Sequence, residues 1–330
     1  MTFSRTILTA VALTGLAIGA AQADEMKFAN FMAPTHPYVA GAFQPFADMV
    51  AKETDGAVTV KLYNGGELGG GPVDQYNRAV EGVTEFAIGL PGYTASNFPR
   101  TLLAELPGVV SEETGTAALW KNIDLLMPEY KRVKLISLWS SADNILYMRD
   151  KAVHSPADIK GLKIRVPSRN AGLVAAAWGA LPVSMPVSDI YNAMQTGVID
   201  GALIDGTATK SFKLGEVAKY LTVGMNSTNS PFFILMNRDA FEGLTDDQKA
   251  AVEKAGREAS DLGSKVQVTE ANKGIDDFGK MDGKELIRLT PEEAKAFNDL
   301  SAPVVDTVVE ETATKGIDAK AIVDGLTAAK

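Results

Sequence analysis

Two α/β lobes braced by one long helix are the fold this sequence predicts, on three observations. Strand and helix patterns alternate from Met26 to Trp139, a second such cycle runs from Ser155 to Ile204, and Thr245 opens a helical pattern continuing toward Met281. Alternation of this kind produces a mostly parallel sheet covered by helices, with binding at the carboxyl ends of its strands.

In the first cycle, Met26 to Met32 alternates as a strand. Pro37 opens a helix with Val39, Phe43, Phe46 and Val50 at helical spacing, stopped by Asp55-Gly56. A strand at Val58 to Tyr63 runs into Gly65-Gly66 and Gly69-Gly70-Gly71, a flexible loop, and Pro72 suits the first turn of the next helix. Thr84 to Leu90 reads as a strand, Ser111 to Met127 as an amphipathic helix and Val133 to Trp139 as a strand.

The second cycle starts at Ser155-Pro156, an N-cap followed by proline at the first helical position. Leu162, Ile164 and Val166 then form one face of a strand, and Lys163 and Arg165 the other. Helices near Asn170 to Trp178 and Ser188 to Gln195 and a strand from Val198 to Ile204 complete it. After a strand at Pro231 to Asn237, the capping box Thr245-Asp-Asp-Gln248 starts the long helix, which at about 35 residues reaches about 50 Å and braces both lobes. Thr290-Pro-Glu-Glu293 is a second capping box and opens the last helix.

Residues 1–23 carry one charge, Arg5, then an apolar run from Ile7 to Ala20 and Ala21-Gln22-Ala23. That is the pattern of a cleavable secretory signal peptide rather than of a membrane anchor. Export leaves a mature chain of about 307 residues, a length for about two domains. The chain has no cysteine, so neither disulfides nor thiol chemistry enters, and its net charge of −9 without basic clusters excludes nucleic acid as a partner.

Chemical motifs are few. Neither a Gly-x-Ser-x-Gly elbow nor a Walker or dinucleotide spacing is present, and the paired carboxylates Glu112-Glu113, Asp246-Asp247, Asp276-Asp277 and Glu292-Glu293 sit mainly near helix ends. With two histidines, His36 and His154, and no metal-ligand spacing, no metal or cofactor is expected. His36, between Thr35 and Pro37 before a helix, reads first as an exposed turn residue and second as a ligand contact.

Gly161-Leu-Lys-Ile-Arg-Val-Pro167, Met185-Pro-Val-Ser-Asp-Ile-Tyr191 and Ala193-Met-Gln-Thr-Gly-Val-Ile-Asp-Gly201 together resemble the DctP-like substrate-binding proteins of tripartite ATP-independent periplasmic (TRAP) transporters. The similarity is colinear over essentially the whole mature chain. The resemblance implies a two-lobed periplasmic-binding-protein clamshell with hinge strands and a long lobe-spanning helix, closing on an organic acid. It implies a periplasmic protein, acting as a monomer, that delivers its ligand to the small and large membrane subunits of the transporter. The expected division is lobe I at 24–148 plus 236–276 and lobe II at 149–235 plus 277–330.

In the family, the arginine of the Lys-Ile-Arg-Val-Pro segment pairs with the ligand carboxylate, which lands on Arg165. An arginine suits the task because its planar fork holds both carboxylate oxygens and keeps its proton. The similar sialic-acid-binding members carry a second ligand arginine where this chain has Ile145, and an asparagine where it has Ile204, just before Asp205. Burying a second carboxylate or several hydroxyls against isoleucine is costly, so the lead expectation is an aromatic or largely apolar monocarboxylate. Tyr93, Phe98 and Phe232-Phe233 are candidates to wall its body, although each also reads as ordinary core packing. Arg169 keeps a C4-dicarboxylate or keto acid as the second expectation, because it could supply another cation. A sensory ligand-binding subunit and a periplasmic enzyme are the alternatives from other classes.

Overall fold

A computed structural model describes residues 24–329; the expected signal peptide at 1–23 lies outside the described residues. Strands β1 (Asp24–Ala29), β2 (Val58–Tyr63), β3 (Phe86–Gly89) and β4 (Val133–Ser140) lie in one sheet, and β5 (Ile145–Met148), β6 (Lys163–Val166), β7 (Leu181–Ser184), β8 (Gly201–Ile204) and β9 (Tyr220–Val223) in a second. Strand β10 (Pro231–Asn237) returns to the first sheet and β11 (Glu285–Arg288) to the second, giving the orders β2-β1-β3-β10-β4 and β11-β9-β5-β8-β6-β7.

Both sheets are mixed rather than mostly parallel. Strand β10 runs antiparallel to β3 and β4, and β5 runs antiparallel to β8 and β9. Each is the strand by which the chain enters from the other lobe, directly and without the crossover helix that keeps neighbouring strands parallel. The two crossing segments are tied together: Ser141 N donates to Ser230 O at 3.1 Å, Ser230 N to Ser141 Oγ at 2.7 Å, and Asn144 N to Thr228 O at 2.8 Å. The crossings therefore fall at 141–144 and 224–230, before the breaks expected at 148 and 235.

The first lobe packs Phe28, Phe43, Phe46 and Phe86 edge-on or tilted within a shared core, each buried ring contributing about 1.5–3 kcal/mol. The expected helix after Pro37 begins with a π-helical turn, Val39–Phe43, before Gln44–Glu53. The helix expected over Ser111 to Met127 is shorter, at Gly115–Lys121, because Asn122 leaves helical geometry and its side chain donates to Ala118 O and Gly325 O. That second bond anchors the C-terminal helix Ala319–Thr327 on the first lobe, whereas Pro291–Ser301 and Pro303–Ala313 pack on the second. Thr290 thus opens three helices instead of one, and residues 277–330 do not all belong to the second lobe.

The long helix, Asp246–Phe278, has the expected capping box, Thr245 Oγ accepting from Gln248 N and Gln248 Oε1 from Thr245 N. Glycines let it touch both lobes. A Cβ on Gly256 would lie 2.2 Å from Ile136 O on β4, and one on Gly274 would lie 2.0 Å from Gly206 O beyond β8. Gly256→Ala should therefore cost about 1–3 kcal/mol through overpacking, lowering the melting temperature by a few degrees in thermal denaturation; an unchanged melting point would show that the helix does not press on β4.

Candidate functional site

Alternation along β6 turns Ile164 and Val166 into the lobe core and Arg165 to the opposite side. Arg165 is only 1% exposed. Its Nε–H donates to Met185 O at 3.0 Å, Nη1–H to Leu203 O at 3.1 Å and Nη2–H to Tyr93 Oη at 3.3 Å. A guanidinium has five N–H donors, so one is left on each terminal nitrogen. Among the described residues no carboxylate pairs with it. Burial lowers its pKa, opposed by Tyr93 and Asp205, and an arginine keeps its proton even so.

Arg165 faces a narrow cavity between the lobes. Tyr93, Phe232 and Phe31 wall it from the first lobe, and Ile204, Val187 and Phe212 from the second. Phe232 is fixed by stacking on Trp139, with centroids 5.6 Å apart and an 11° interplanar angle. Tyr93 Oη accepts from Val187 N at 3.1 Å as well as from Arg165, so it joins the two lobes with its own hydrogen still to give.

A second polar chain crosses the cleft. Trp139 Nε1–H donates to Tyr38 Oη at 2.9 Å, Tyr38 O–H donates to Gln267 Oε1 on the long helix, and Gln267 Nε2–H donates to Asp205 Oδ2 at 3.2 Å. Asp205 Oδ1 accepts from Thr207 N at 2.9 Å and Thr207 Oγ at 2.6 Å. Burial raises the Asp205 pKa, and these donors act against that rise. The carboxylate is thus held from both sides and lines the cavity.

Five of the residues singled out in the sequence besides Arg165 meet at this cavity: His36, Tyr93, Ile204, Asp205 and Phe232. His36 is buried there, its ring packed at a tilt against Tyr38 and Phe212, and is not an exposed turn residue. Three candidates lie elsewhere. Phe98 sits in the first-lobe core against Tyr76, Tyr130 and Phe233, because the 3-10 turn before it directs its ring inward. Arg169 is the first residue of the helix Arg169–Ala177 and is held outside the cleft by Glu311 at 2.8 and 3.0 Å. Ile145 pairs with Ile204 but packs into the second-lobe core beneath the cavity wall. Sequence reasoning missed Tyr38, Asn144, Ser230 and Gln267, which the crossings and the long helix bring together from distant segments.

A cleft between two lobes, with crossing strands behind it and a buried cation inside, is the architecture of a solute-capturing clamshell. The chain belongs to the DctP family of bacterial extracellular solute-binding proteins, family 7, whose profile matches residues 28–312, and so to the substrate-binding proteins of TRAP transporters. It is 27% identical to the C4-dicarboxylate-binding periplasmic protein DctP of Rhodobacter capsulatus over 306 residues, 89% of each chain. Its fold is similar to that of a TRAP solute-binding protein from Rhodoferax ferrireducens in complex with copurified benzoate, with a TM-score of 0.87 and 27% identity over 92% of this chain and 97% of that one. It is also similar to a marine metagenome TRAP protein specific for aromatic acids, co-crystallized with 3-hydroxybenzoate, at a TM-score of 0.85 and 25% identity over 93% and 98% of the two chains.

Burial lowers the His36 pKa to about 4, whereas an unfolded histidine titrates near 6.5. The unfolded chain therefore binds the extra proton between those values, so this residue's contribution to stability is complete above pH 6.5 and lost as pH falls through 4. An NMR pH titration of the two imidazoles, assigned with His154→Gln, should give His36 a midpoint near 4; a midpoint near 6.5 would mean that the ring is solvated.

Proposed function

We propose that this chain captures an aromatic or largely apolar monocarboxylate between its lobes, with Arg165 pairing to the carboxylate. The observation that carries this reading is the buried Arg165 guanidinium, with an N–H free on each terminal nitrogen, in a cavity walled by Tyr93, Phe232, Phe31 and Ile204. The ligands of the two similar solved proteins, benzoate and 3-hydroxybenzoate, support it.

The binding sequence follows from which lobe holds which group. In an open clamshell, Arg165 on the second lobe is accessible to water and attracts the anion. Closure brings Tyr93 from the first lobe onto Arg165 and Val187, where its free hydroxyl hydrogen faces the incoming carboxylate. Water leaves, and the ion pair strengthens as the local dielectric falls. A charge-assisted contact supplies about 1.5–3 kcal/mol, short of the about 8 kcal/mol that micromolar capture needs. Burying about 200 Å² of aromatic ring supplies about 5 kcal/mol more.

A dicarboxylate needs a second cation. Among the residues lining the cavity Arg165 is the one cation, since His36 is held neutral, so a second carboxylate would find no partner. Export by cleavage after Ala23, action as a monomer, release of an unchanged ligand and docking of the closed form on the small and large membrane subunits complete the proposal.

A thermal-shift screen of the mature chain tests the ligand class. Ligand at about a thousandfold over Kd adds about 4 kcal/mol, so aromatic acids should raise the melting point and their neutral amides should not; a response confined to dicarboxylates would overturn the reading. Arg165→Ala should weaken acid binding at least about 100-fold by calorimetry without loss of the folded circular dichroism spectrum, and Arg165→Lys should not restore it, because an ammonium lacks the fork. Affinity within threefold of the parent in either variant would remove Arg165 as the anchor.

A further inference from the structure

Two polar groups at the cavity are still without partners once a carboxylate is seated on Arg165. Asn144 is 3% exposed and donates through Nδ2 to Thr228 Oγ at 2.9 Å and Ser230 Oγ at 3.4 Å. Those bonds fix its amide, among the described residues none donates to its Oδ1, and the residue lines the cavity. His36, 5% exposed, accepts from Tyr38 N through Nδ1 at 3.3 Å. Its proton therefore sits on Nε2, a donor with no acceptor among the described residues and lining the same cavity. Strand register adds to the case: Ile145 pairs with Ile204, so the next step of the antiparallel ladder sets Asn144 across from Asp205, and two oxygen acceptors share that side of the cleft.

A purely apolar ligand body would cover these groups and leave them unpaired. Each buried polar atom left so lowers affinity by about 5- to 150-fold. A hydroxyl carries both what Asn144 Oδ1 lacks, a donor, and what His36 Nε2–H lacks, an acceptor. A site with such groups rejects an analogue without the hydroxyl far more strongly than an apolar pocket rejects one that lacks a methylene.

We infer that the cleft selects a hydroxy acid, with the carboxylate on Arg165 and a hydroxyl donating to Asn144 Oδ1. This rests on the acid-binding reading and narrows it: the ligand body is apolar except at one hydroxyl. The hydroxyl could be carried on the carbon next to the carboxylate or on the ring, and the test separates the two.

Calorimetric titration of the mature chain with matched pairs decides it: mandelate against phenylacetate, 3-hydroxybenzoate against benzoate, and, as aliphatic pairs, lactate against propionate and malate against succinate. The hydroxylated member of at least one pair should bind about tenfold or more tighter, and the pair with the largest ratio locates the hydroxyl. In Asn144→Leu that ratio should fall toward one, whatever the variant's absolute affinity. Ratios within twofold in every pair that binds would overturn the inference while leaving Arg165 as anchor. Binding of the aliphatic pairs alone would overturn the aromatic reading, with their own ratio still deciding the hydroxyl. No binding by any of the acids would overturn both.

Discussion

A guanidinium buried with no carboxylate paired to it among the described residues is the constraint on which the rest of this structure depends. Leaving one charge of a buried pair uncompensated costs several kcal/mol, so a cleft closed over Arg165 alone is unfavourable. Met185 O, Leu203 O and Tyr93 Oη satisfy three of its hydrogens but carry no full negative charge. In the proposed reading the missing charge arrives with the ligand, and closure is thereby coupled to occupancy, because a ligand shifts such an equilibrium only by its difference in affinity for the two forms.

The scaffold holds that charge in place. Two short crossings, bonded to each other through Ser141 and Ser230, form the hinge behind the cleft, while the long helix bears on β4 at Gly256 and on the segment after β8 at Gly274. The chain's net charge of −9 opposes an anionic ligand at long range, but surface charges are screened within about 8 Å at physiological salt. One desolvated cation inside the cleft outweighs them there.

What the sequence made legible follows its longer patterns. Strands β2 and β10, six and seven residues long, are read from their apolar runs to the residue, and the capping box at Thr245 marks the start of the long helix. Strands β7, β9 and β11 are not read from the sequence, and β7 contains Pro182 at a sheet edge. In the site, alternation within β6 put Arg165 opposite the apolar face, and the family resemblance gave it its expected role. Arg169 looked equivalent four residues on, but Ser168 caps a helix between them and turns it to Glu311. Phe98 and Phe232 are alike in sequence, and only tertiary packing sends one to the core and the other to the cleft. Tyr38 on the first lobe, Asn144 on a crossing and Gln267 on the long helix meet from three distant segments, a proximity that no local spacing encodes.

The coupling of closure to the carboxylate is tested most directly by a distance across the cleft. The chain has no cysteine, so Val73→Cys and Val198→Cys, at exposed positions on the first and second lobes, take two spin labels cleanly for electron–electron double resonance. With an aromatic acid that binds, the distance distribution should shorten and narrow, and with the neutral amide of the same acid it should stay as in the unliganded chain. A short, narrow distribution already present without ligand, or an equal response to acid and amide, would contradict the claim that Arg165 and its missing anion control closure.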